Sequence, residues 1–149
     1  MSDLPPTGGT GLEPLLPTLS KTVRCEEDRI RQLLPDLEFV SRLLGEVPQP
    51  IEAPALVFRD ELGKVRAQPV RTRLRVGRLP ECDISFPNYR EVSRYHFAIT
   101  ESAGEFVLAD AGSSNGTFLR RKEGRVENCP LLDGDIIDAG GFVFVFIKH

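Results

Sequence analysis

Cysteine and histidine are scarce in this sequence, and their scarcity excludes several chemistries. The three cysteines, Cys25, Cys82 and Cys129, lie far apart, and the chain has no CxxC pair or Cys/His cluster. A zinc site is therefore not expected, and we predict neither a metal nor another cofactor. A sparse, odd set of cysteines is typical of a reducing compartment. Two histidines in the whole chain leave little scope for acid–base catalysis.

Long apolar runs and an excess of positive charge are also missing. The longest apolar stretch, FVFVFI at 142–147, has the length of a strand and is too short to cross a bilayer. The opening residues, MSDLPPTGG, lack the basic and apolar regions of a signal peptide. The net charge of −3 provides no general positive field for nucleic acid. These features predict a cytoplasmic protein that binds neither nucleic acid nor membrane.

The first 54 residues differ in composition from the rest of the chain. Residues 1–23 are rich in Pro, Gly and Thr, which predicts a flexible tail. Residues 24–45 predict an amphipathic helix, with Pro35 indicating a kink or a pair of helices and Gly45 a stop. Residues 46–54 hold three prolines and predict a stiff linker. The apolar positions of the helix share one face and are Ile30, Leu33, Leu34, Leu37, Val40 and Leu44.

From residue 55 the apolar pattern changes to a period of two. The β-like runs are short and separated by turn residues, and they read ALVF, PVRTRLRV, DISF, HFAIT, EFVLAD, TFLR, RV, DIID and FVFVFI. Many short strands with no helical pattern between them predict an all-β domain over residues 55–149, a two-sheet antiparallel β-sandwich. Alternating Arg71, Arg73 and Arg75 indicate a solvated edge strand. Their alternative interpretation is a basic surface for the acidic N-terminal segment or for an acidic partner.

Three polar clusters lie at the ends of predicted strands, and they are Gly77-Arg78, Ser93-Arg94-Tyr95-His96 and Ser113 to Thr117. The Asn115-Gly116 pair in the third cluster predicts a tight turn. Loops at one end of a sandwich converge, so we expect the clusters to line one surface. They offer guanidinium groups, hydroxyls and one carboxamide but no carboxylate, a set suited to a tetrahedral dianion. The clusters therefore predict a site for a phosphorylated residue in an extended peptide.

The order of these motifs resembles the forkhead-associated (FHA) domain. The resemblance rests on GR at Gly77-Arg78, S-R-x-H from Ser93, D-x-x-S-x-N-G-T from Asp110, and an L-x-D-G-D-x-I segment that begins at Leu131. It implies a two-sheet sandwich of about eleven strands that binds phosphothreonine peptides through loops at one end and is not an enzyme. Tyr89 and Arg90 make the loop at 86–93 bulkier than the family pattern, which bears on peptide preference.

The resemblance also implies roles for individual residues. Arg78 and Ser93 would contact the phosphate, and Arg94 would flank it. Ser114 would reach the phosphothreonine, and Asn115 would bond the peptide backbone beside it. The residues that would support the site structurally are Gly77, His96 and Gly116.

The implied function is a phosphothreonine-binding adaptor module in Ser/Thr kinase signalling. Its partner would be a threonine-phosphorylated protein or peptide, with a Ser/Thr kinase or its substrate as candidates. Because the N-terminal tail contains four threonines, an intramolecular contact between the N-terminal segment and the site is a further hypothesis. One alternative is a phosphate-independent scaffold or oligomerisation protein that acts through its N-terminal helix. A second is a hydrolase that uses Ser93 and His96, for which the sequence offers no orienting acid.

Overall fold

The computed structural model describes residues 35–48 and 50–149. The predicted tail and the predicted helical residues 24–34 lie outside this part of the chain. The predicted kink at Pro35 involves those residues and therefore stays a prediction. Residues 35–45 form a helix, α1, that ends at the predicted stop, Gly45. Leu43 is buried, although the predicted apolar face omitted it, whereas Leu37 from that face is 62% exposed. No helix in the described part of the chain is long and apolar enough to span a membrane.

Residues 42–149 form one compact unit, in which ten strands build two five-stranded sheets. The strands are β1 (Ala55–Arg59), β2 (Val65–Pro69), β3 (Arg73–Gly77), β4 (Ile84–Ser85), β5 (Phe97–Ser102), β6 (Glu105–Asp110), β7 (Thr117–Leu119), β8 (Asn128–Pro130), β9 (Ile136–Ala139) and β10 (Phe142–Ile147). The sheet orders are β2-β1-β10-β9-β7 and β4-β3-β5-β6-β8. The predicted two-sheet sandwich is confirmed, with ten strands rather than about eleven. One pair, β3 and β4, is parallel, so the sandwich is not wholly antiparallel.

Three details of the strand pattern differ from the prediction. The run PVRTRLRV is broken, because β2 ends at Pro69 and Val70 turns its backbone N–H to the Pro54 carbonyl at 2.8 Å. The predicted strand at 125–126 reduces to a single bridge between Phe118 and Arg125, and the nearby strand is β8. The prediction that the alternating arginines lie on an edge strand is wrong, because β3 lies between β4 and β5 in its sheet.

Aromatic packing between the two sheets reaches up to the loop at 86–93. Phe86 is buried at the start of this loop and stacks on Phe142 with ring centroids 3.9 Å apart. The Tyr89 ring also contacts Phe142, with centroids 5.0 Å apart. Val92 is buried as well. The loop is therefore attached to the hydrophobic core at three points, which limits the positions that its polar residues can take.

Candidate functional site

Three loops meet at one end of the sandwich, as the sequence predicts. They span residues 78–83, 86–96 and 111–116, after β3, β4 and β6 respectively. The Arg78 backbone N–H lies within hydrogen-bonding distance of the carbonyls of Ser93, at 3.0 Å, and Arg94, at 3.1 Å. The backbone N–H of Ser114 donates to Ser93 Oγ at 3.1 Å. Direct hydrogen bonds therefore join all three loops, so their side chains are held near one another.

A cavity of about 470 Å³ opens between these loops, and we call it the guanidinium cavity. Its lining includes the predicted phosphate ligands and is Arg78, Leu79, Arg90, Ser93, Arg94, Tyr95, Ala111, Gly112 and Ser114. No carboxylate belongs to this lining. Among the residues that the structure describes, the guanidinium groups of Arg78, Arg90 and Arg94 have no hydrogen-bond or ion-pair partner. The cavity is therefore a concentrated, uncompensated positive charge, which favours an anionic ligand.

Tyr95, which lines this cavity, makes two contacts outside it. Its hydroxyl donates a hydrogen bond to Glu81, and the Arg75 guanidinium carbon lies 5.7 Å from the centre of its ring. The hydrogen bond to Glu81 raises the pKa of Tyr95 above its usual value, with burial adding to the shift. Glu81 and Arg75 thus both contact Tyr95, which lines the cavity.

Asn115 lies beside the guanidinium cavity rather than in it. Its Nδ2 donates to the backbone carbonyl of Glu91 at 3.0 Å. It lines a neighbouring depression of about 240 Å³ that we call the Asn115 depression, together with Glu91, Phe118, Asp138, Ala139, Gly140 and Gly141. The contact to Glu91 leaves the amide oxygen of Asn115 as an acceptor for a peptide N–H.

His96 is fully buried between two of the loops. Its Nδ1 accepts the backbone N–H of Ser93 at 3.1 Å, and its Nε2 lies 2.9 Å from the Gly116 carbonyl. Because Nδ1 must accept from a backbone N–H, the ring carries its proton on Nε2 and donates to Gly116. Both ring nitrogens are therefore occupied by backbone groups, and neither is bonded to the Ser93 hydroxyl.

Gly77 is required by a close approach of the backbone. A Cβ atom at this position would lie 2.2 Å from the Arg94 carbonyl oxygen and 2.9 Å from the Cys82 sulfur. The Cys82 thiol donates to the same Arg94 carbonyl at 3.6 Å, and burial raises the pKa of that thiol. Only glycine lets the end of β3 pass this close to the loop that carries Ser93 and Arg94.

The Asn115-Gly116 pair does not form a two-residue hairpin turn. The loop at 111–116 joins β6 in one sheet to β7 in the other, so it is a crossover between sheets. Gly116 has a φ of +89°, but the only non-glycine residue with positive φ in the described part of the chain is Ala103. A type I′ turn needs positive φ at both central residues, and Asn115 does not meet this condition.

Comparison with known proteins identifies the domain. Residues 74–140, which run from β3 to the turn after β9, match the family model of the FHA domain. The β domain of this chain is an FHA domain. The match includes the three loops that surround the guanidinium cavity.

The relatives of this FHA domain include two bacterial regulators. Glycogen accumulation regulator GarA of Mycolicibacterium smegmatis is 39% identical over 71 residues, which cover 48% of this chain and 43% of the relative. The oxoglutarate dehydrogenase inhibitor of Corynebacterium efficiens is 41% identical over 81 residues, covering 54% of this chain and 52% of the relative. The chain thus spans about half the length of the curated relatives it matches.

The fold also matches solved FHA structures. One comes from a structural and functional analysis of phosphothreonine-dependent FHA domain interactions. It is 27% identical in sequence, with a TM-score of 0.54, and the match covers 64% of this chain and 95% of that one. The FHA sandwich therefore accounts for nearly all of that neighbour and about two thirds of this chain.

Asp110 organises the FHA loop at 111–116, although the predicted site list omitted it. Its Oδ1 accepts the hydroxyls of Ser113, at 2.5 Å, and Thr117, at 2.7 Å. Its Oδ2 accepts the backbone N–H groups of Gly112, at 2.9 Å, and Ser113, at 3.0 Å. Burial acts to raise the pKa of this carboxyl, but the four hydrogen bonds outweigh it, and the pKa lies below its usual value. The D-x-x-S spacing was the signal that could have identified it.

Arg90 is the second residue that sequence reasoning missed. From the sequence, Tyr89 and Arg90 both count as added bulk in the loop at 86–93, but in the structure their side chains lie in different places. Tyr89 packs on Phe142, whereas Arg90 lines the guanidinium cavity beside Arg78. No local pattern distinguishes the two, because the turn between them decides which side chain faces the core.

The fourth FHA motif lies away from the site. The carboxylate of Asp135 is buried, accepts the Leu132 N–H at 2.8 Å and pairs with Arg121 at 2.7 Å. Neither Asp135 nor its neighbours line the guanidinium cavity. In the described part of the chain, no group of three or more His, Cys, Asp or Glu side chains is arranged to hold a metal ion.

Proposed function

We propose that this FHA domain binds threonine-phosphorylated peptides and that the protein acts as an adaptor or regulator in Ser/Thr kinase signalling. The observation that carries this proposal is the guanidinium cavity, where three arginines without partners in the described residues meet two serines and no carboxylate. A phosphothreonine brings about −1.5 to −2 charges and three strong acceptor oxygens. Its phosphate fits the planar guanidinium forks better than any neutral side chain does.

Each site residue has a distinct part in this proposal. Arg78 and Ser93 contact the phosphate, and Arg94 flanks it. Ser114 reaches the phosphothreonine from the facing loop. Asn115, in the adjoining depression, accepts a hydrogen bond from the peptide backbone and so orients an extended ligand across both cavities. The supporting residues, Gly77, His96 and Gly116, keep the loops at the required separation.

Binding rather than hydrolysis is supported by the state of His96. A serine nucleophile needs a base that removes its proton, and both nitrogens of this ring are occupied by backbone groups of Ser93 and Gly116. The two relatives are named as a regulator and an inhibitor, which agrees with a protein that acts by binding.

The proposed partner is a threonine-phosphorylated protein, with a Ser/Thr kinase or a kinase substrate as the first candidates. A cytoplasmic location is part of the same proposal. It is supported by Cys82 and Cys129, which are both buried as free thiols.

The deciding experiment is fluorescence anisotropy of the full chain with a degenerate phosphothreonine peptide library, alongside unphosphorylated and phosphoserine libraries. We expect binding that requires phosphothreonine. Arg78→Ala should weaken it about tenfold or more, because a charge-assisted contact to phosphate is lost. Arg73→Ala removes the same charge from β3 outside the cavity and should bind as the native protein does. Equal binding by Arg78→Ala would refute the site assignment, and helix-dependent dimers without phosphopeptide affinity would favour the scaffold alternative.

A further inference from the structure

We propose that the open edge of β2 binds an extended segment of a partner protein as an added strand, and that this segment combines a basic residue with apolar residues. The inference goes beyond the proposed phosphopeptide function, because no residue of β2 lines the guanidinium cavity. In the described part of the chain, β2, β7, β4 and β8 lie at the sheet edges. With five residues, β2 is the longest of them.

The register of β2 fixes which of its backbone groups face away from the sheet. The Asp60 N–H donates to the Lys64 carbonyl at 2.8 Å across the turn between β1 and β2. Because hydrogen-bonded pairs alternate in an antiparallel ladder, every second residue after Lys64 also bonds to β1. The residues between them, Val65 and Ala67, therefore direct their N–H and C=O groups outward. No group of residues 35–48 or 50–149 bonds to these outward groups, so they can pair with another strand.

A cavity lies on each face of β2. The first, of about 340 Å³, lies between the outer face of β2 and the linker, and we call it the linker groove. The second, also of about 340 Å³, lies between β2 and β4 of the other sheet, and we call it the edge cleft. Successive side chains of a strand point to opposite faces. An added strand would therefore direct its side chains alternately into the linker groove and the edge cleft.

The linker groove suits apolar side chains. Most of its lining is apolar and includes Val47, Pro48, Pro50, Val65, Ala67 and Pro69. Its charged members are Glu52, Lys64 and Arg66, so neither sign of charge dominates. The residues of an added strand that lie opposite Val65 and Ala67 face this groove. We therefore expect both of them to be apolar.

The edge cleft suits a basic side chain. Its lining contains the carboxylates of Asp60, Glu61 and Asp83 and a single guanidinium group, that of Arg66. Arg66 pairs with Asp60 at 3.2 Å, whereas Glu61 and Asp83 have no ion-pair partner among the residues that the structure describes. Leu62, which is 88% exposed, also lines the cleft. A lysine could pack its aliphatic stem on Leu62 and bring its charge to the two carboxylates that lack a partner.

The position of Arg66 sets the register of the added strand and disfavours a second copy of this chain. If two β2 strands paired with Val65 of each opposite Ala67 of the other, the two Arg66 side chains would lie directly opposite each other. Like charges in that position are destabilising. The same repulsion places the basic residue of a partner opposite Gln68 instead. For an antiparallel added strand, the expected motif is therefore basic, apolar, any residue, apolar.

The probe is the fluorescein-labelled peptide GSKVTVGS, titrated into the full chain and followed by anisotropy and by NMR of the backbone amides. Its lysine would lie opposite Gln68, and its two valines opposite Ala67 and Val65. One comparison peptide, GSEVTVGS, reverses the charge. The other carries N-methyl groups on both valines, which keeps the side chains but removes the two N–H donors that pair with β2.

Two variants alter the proposed docking surface. Ala67→Pro removes one outward N–H and leaves the bonds to β1 intact, a change that an edge strand tolerates. Asp83→Asn removes one carboxylate of the edge cleft. The matched control is Asp133→Asn, because the exposed Asp133 lines neither the linker groove nor the edge cleft. Circular dichroism checks the fold of each variant, and the N-methylated peptide decides the question without any variant.

We expect GSKVTVGS to bind the native chain and to shift the amide signals of Val65 and Ala67. Binding should weaken by about threefold or more for the N-methylated peptide and for Ala67→Pro, because backbone hydrogen bonds are lost. It should weaken by about twofold for GSEVTVGS and for Asp83→Asn, because the charge contact lies at an exposed place. Asp133→Asn should bind as the native chain does. Ala67→Pro should keep the native response to phosphothreonine peptides, since the two sites are separate.

Four results overturn the inference. The first is that GSKVTVGS does not bind, and the second is that the N-methylated peptide binds as tightly as its parent. The third is protection of the Val65 and Ala67 amides from hydrogen exchange in the peptide-free monomer, which would mean that the edge is covered by residues 1–34 of the same chain. The fourth is protection that rises with protein concentration together with dimers in sedimentation, which would make a second copy the occupant.

Discussion

The side-chain oxygen of Ser93 accepts a hydrogen bond from the backbone N–H of Ser114 at 3.1 Å, although 21 positions separate the two residues. The same hydroxyl keeps its own proton, which it can donate to a phosphate oxygen. Ser93 therefore has two tasks in the proposed site, one toward the ligand and one toward the facing loop.

We expect Ser93→Ala to lose phosphothreonine-peptide affinity by about tenfold or more, because a phosphate contact and the support of Ser114 disappear together. The free energy of unfolding should fall by only about 1 kcal/mol, since one hydrogen bond is lost at a partly exposed site. Hydrogen exchange at the Ser114 amide should accelerate, which separates the loop effect from the direct contact. Ser102→Ala, at the exposed end of β5, is the matched control. Native-like affinity in Ser93→Ala would contradict the assignment.

Gly77→Ala should reduce both stability and peptide binding. The added methyl group would lie 2.2 Å from the Arg94 carbonyl oxygen, a distance that forces the backbone to move. Such overpacking costs on the order of 1–3 kcal/mol, and here it also displaces the loop with Ser93 and Arg94. Urea unfolding and peptide titration measure the two effects. Gly45→Ala serves as a control, because a Cβ at Gly45 meets nothing within 4 Å.

His96→Phe should destabilise the domain by about 2–4 kcal/mol in urea unfolding. A phenyl ring fills a similar volume but leaves the Ser93 N–H and the Gly116 carbonyl without partners in a buried place. Substitution of the exposed His149 by phenylalanine should change the stability by less than about 0.5 kcal/mol. A cost for His96→Phe as small as this control would show that the loops do not depend on the imidazole.

Acid should weaken the FHA domain partly through Asp110. Its carboxyl has a lowered pKa in the folded protein, so ionised Asp110 stabilises the fold at every pH above its unfolded-state pKa. That contribution is lost as the pH falls from the unfolded-state value through the folded-state value. Asp110→Asn should therefore be less stable than native protein at neutral pH, by about 1–3 kcal/mol, with a difference that narrows below about pH 4.

Chemical denaturation of both Asp110 forms at a series of pH values measures this difference. Asp133→Asn provides the control, because Asp133 is exposed and its carboxylate accepts a single backbone N–H, from Lys148. A gap between native protein and Asp110→Asn that stays constant down to pH 3 would exclude the carboxylate as its source.

Several features of this fold follow from local sequence alone. Short apolar runs bounded by turn residues predict β1, β6 and β10 at nearly their observed limits. Other strands are not predicted by such a pattern. In β2, only the first of its five residues is buried, and that residue, Val65, is its only large apolar side chain, so the sequence gives too weak a signal for a strand. The crossover between sheets at Asn115-Gly116 was not predicted, because turn propensity does not specify which sheet the next strand will join.

The sequence by itself indicated that Arg78, Ser93, Arg94, Ser114 and Asn115 belong to one set, because their motifs follow the order of the FHA domain and because they offer hydrogen-bond donors without a carboxylate. Only the tertiary structure decided which of these residues share a cavity. It placed Asn115 in a separate depression and brought Arg90 beside Arg78, while Tyr89 turned into the core. It also gave both nitrogens of His96 to backbone groups. These outcomes depend on contacts between residues that are distant in sequence. A local pattern of side chains does not specify which distant residue will pack against it.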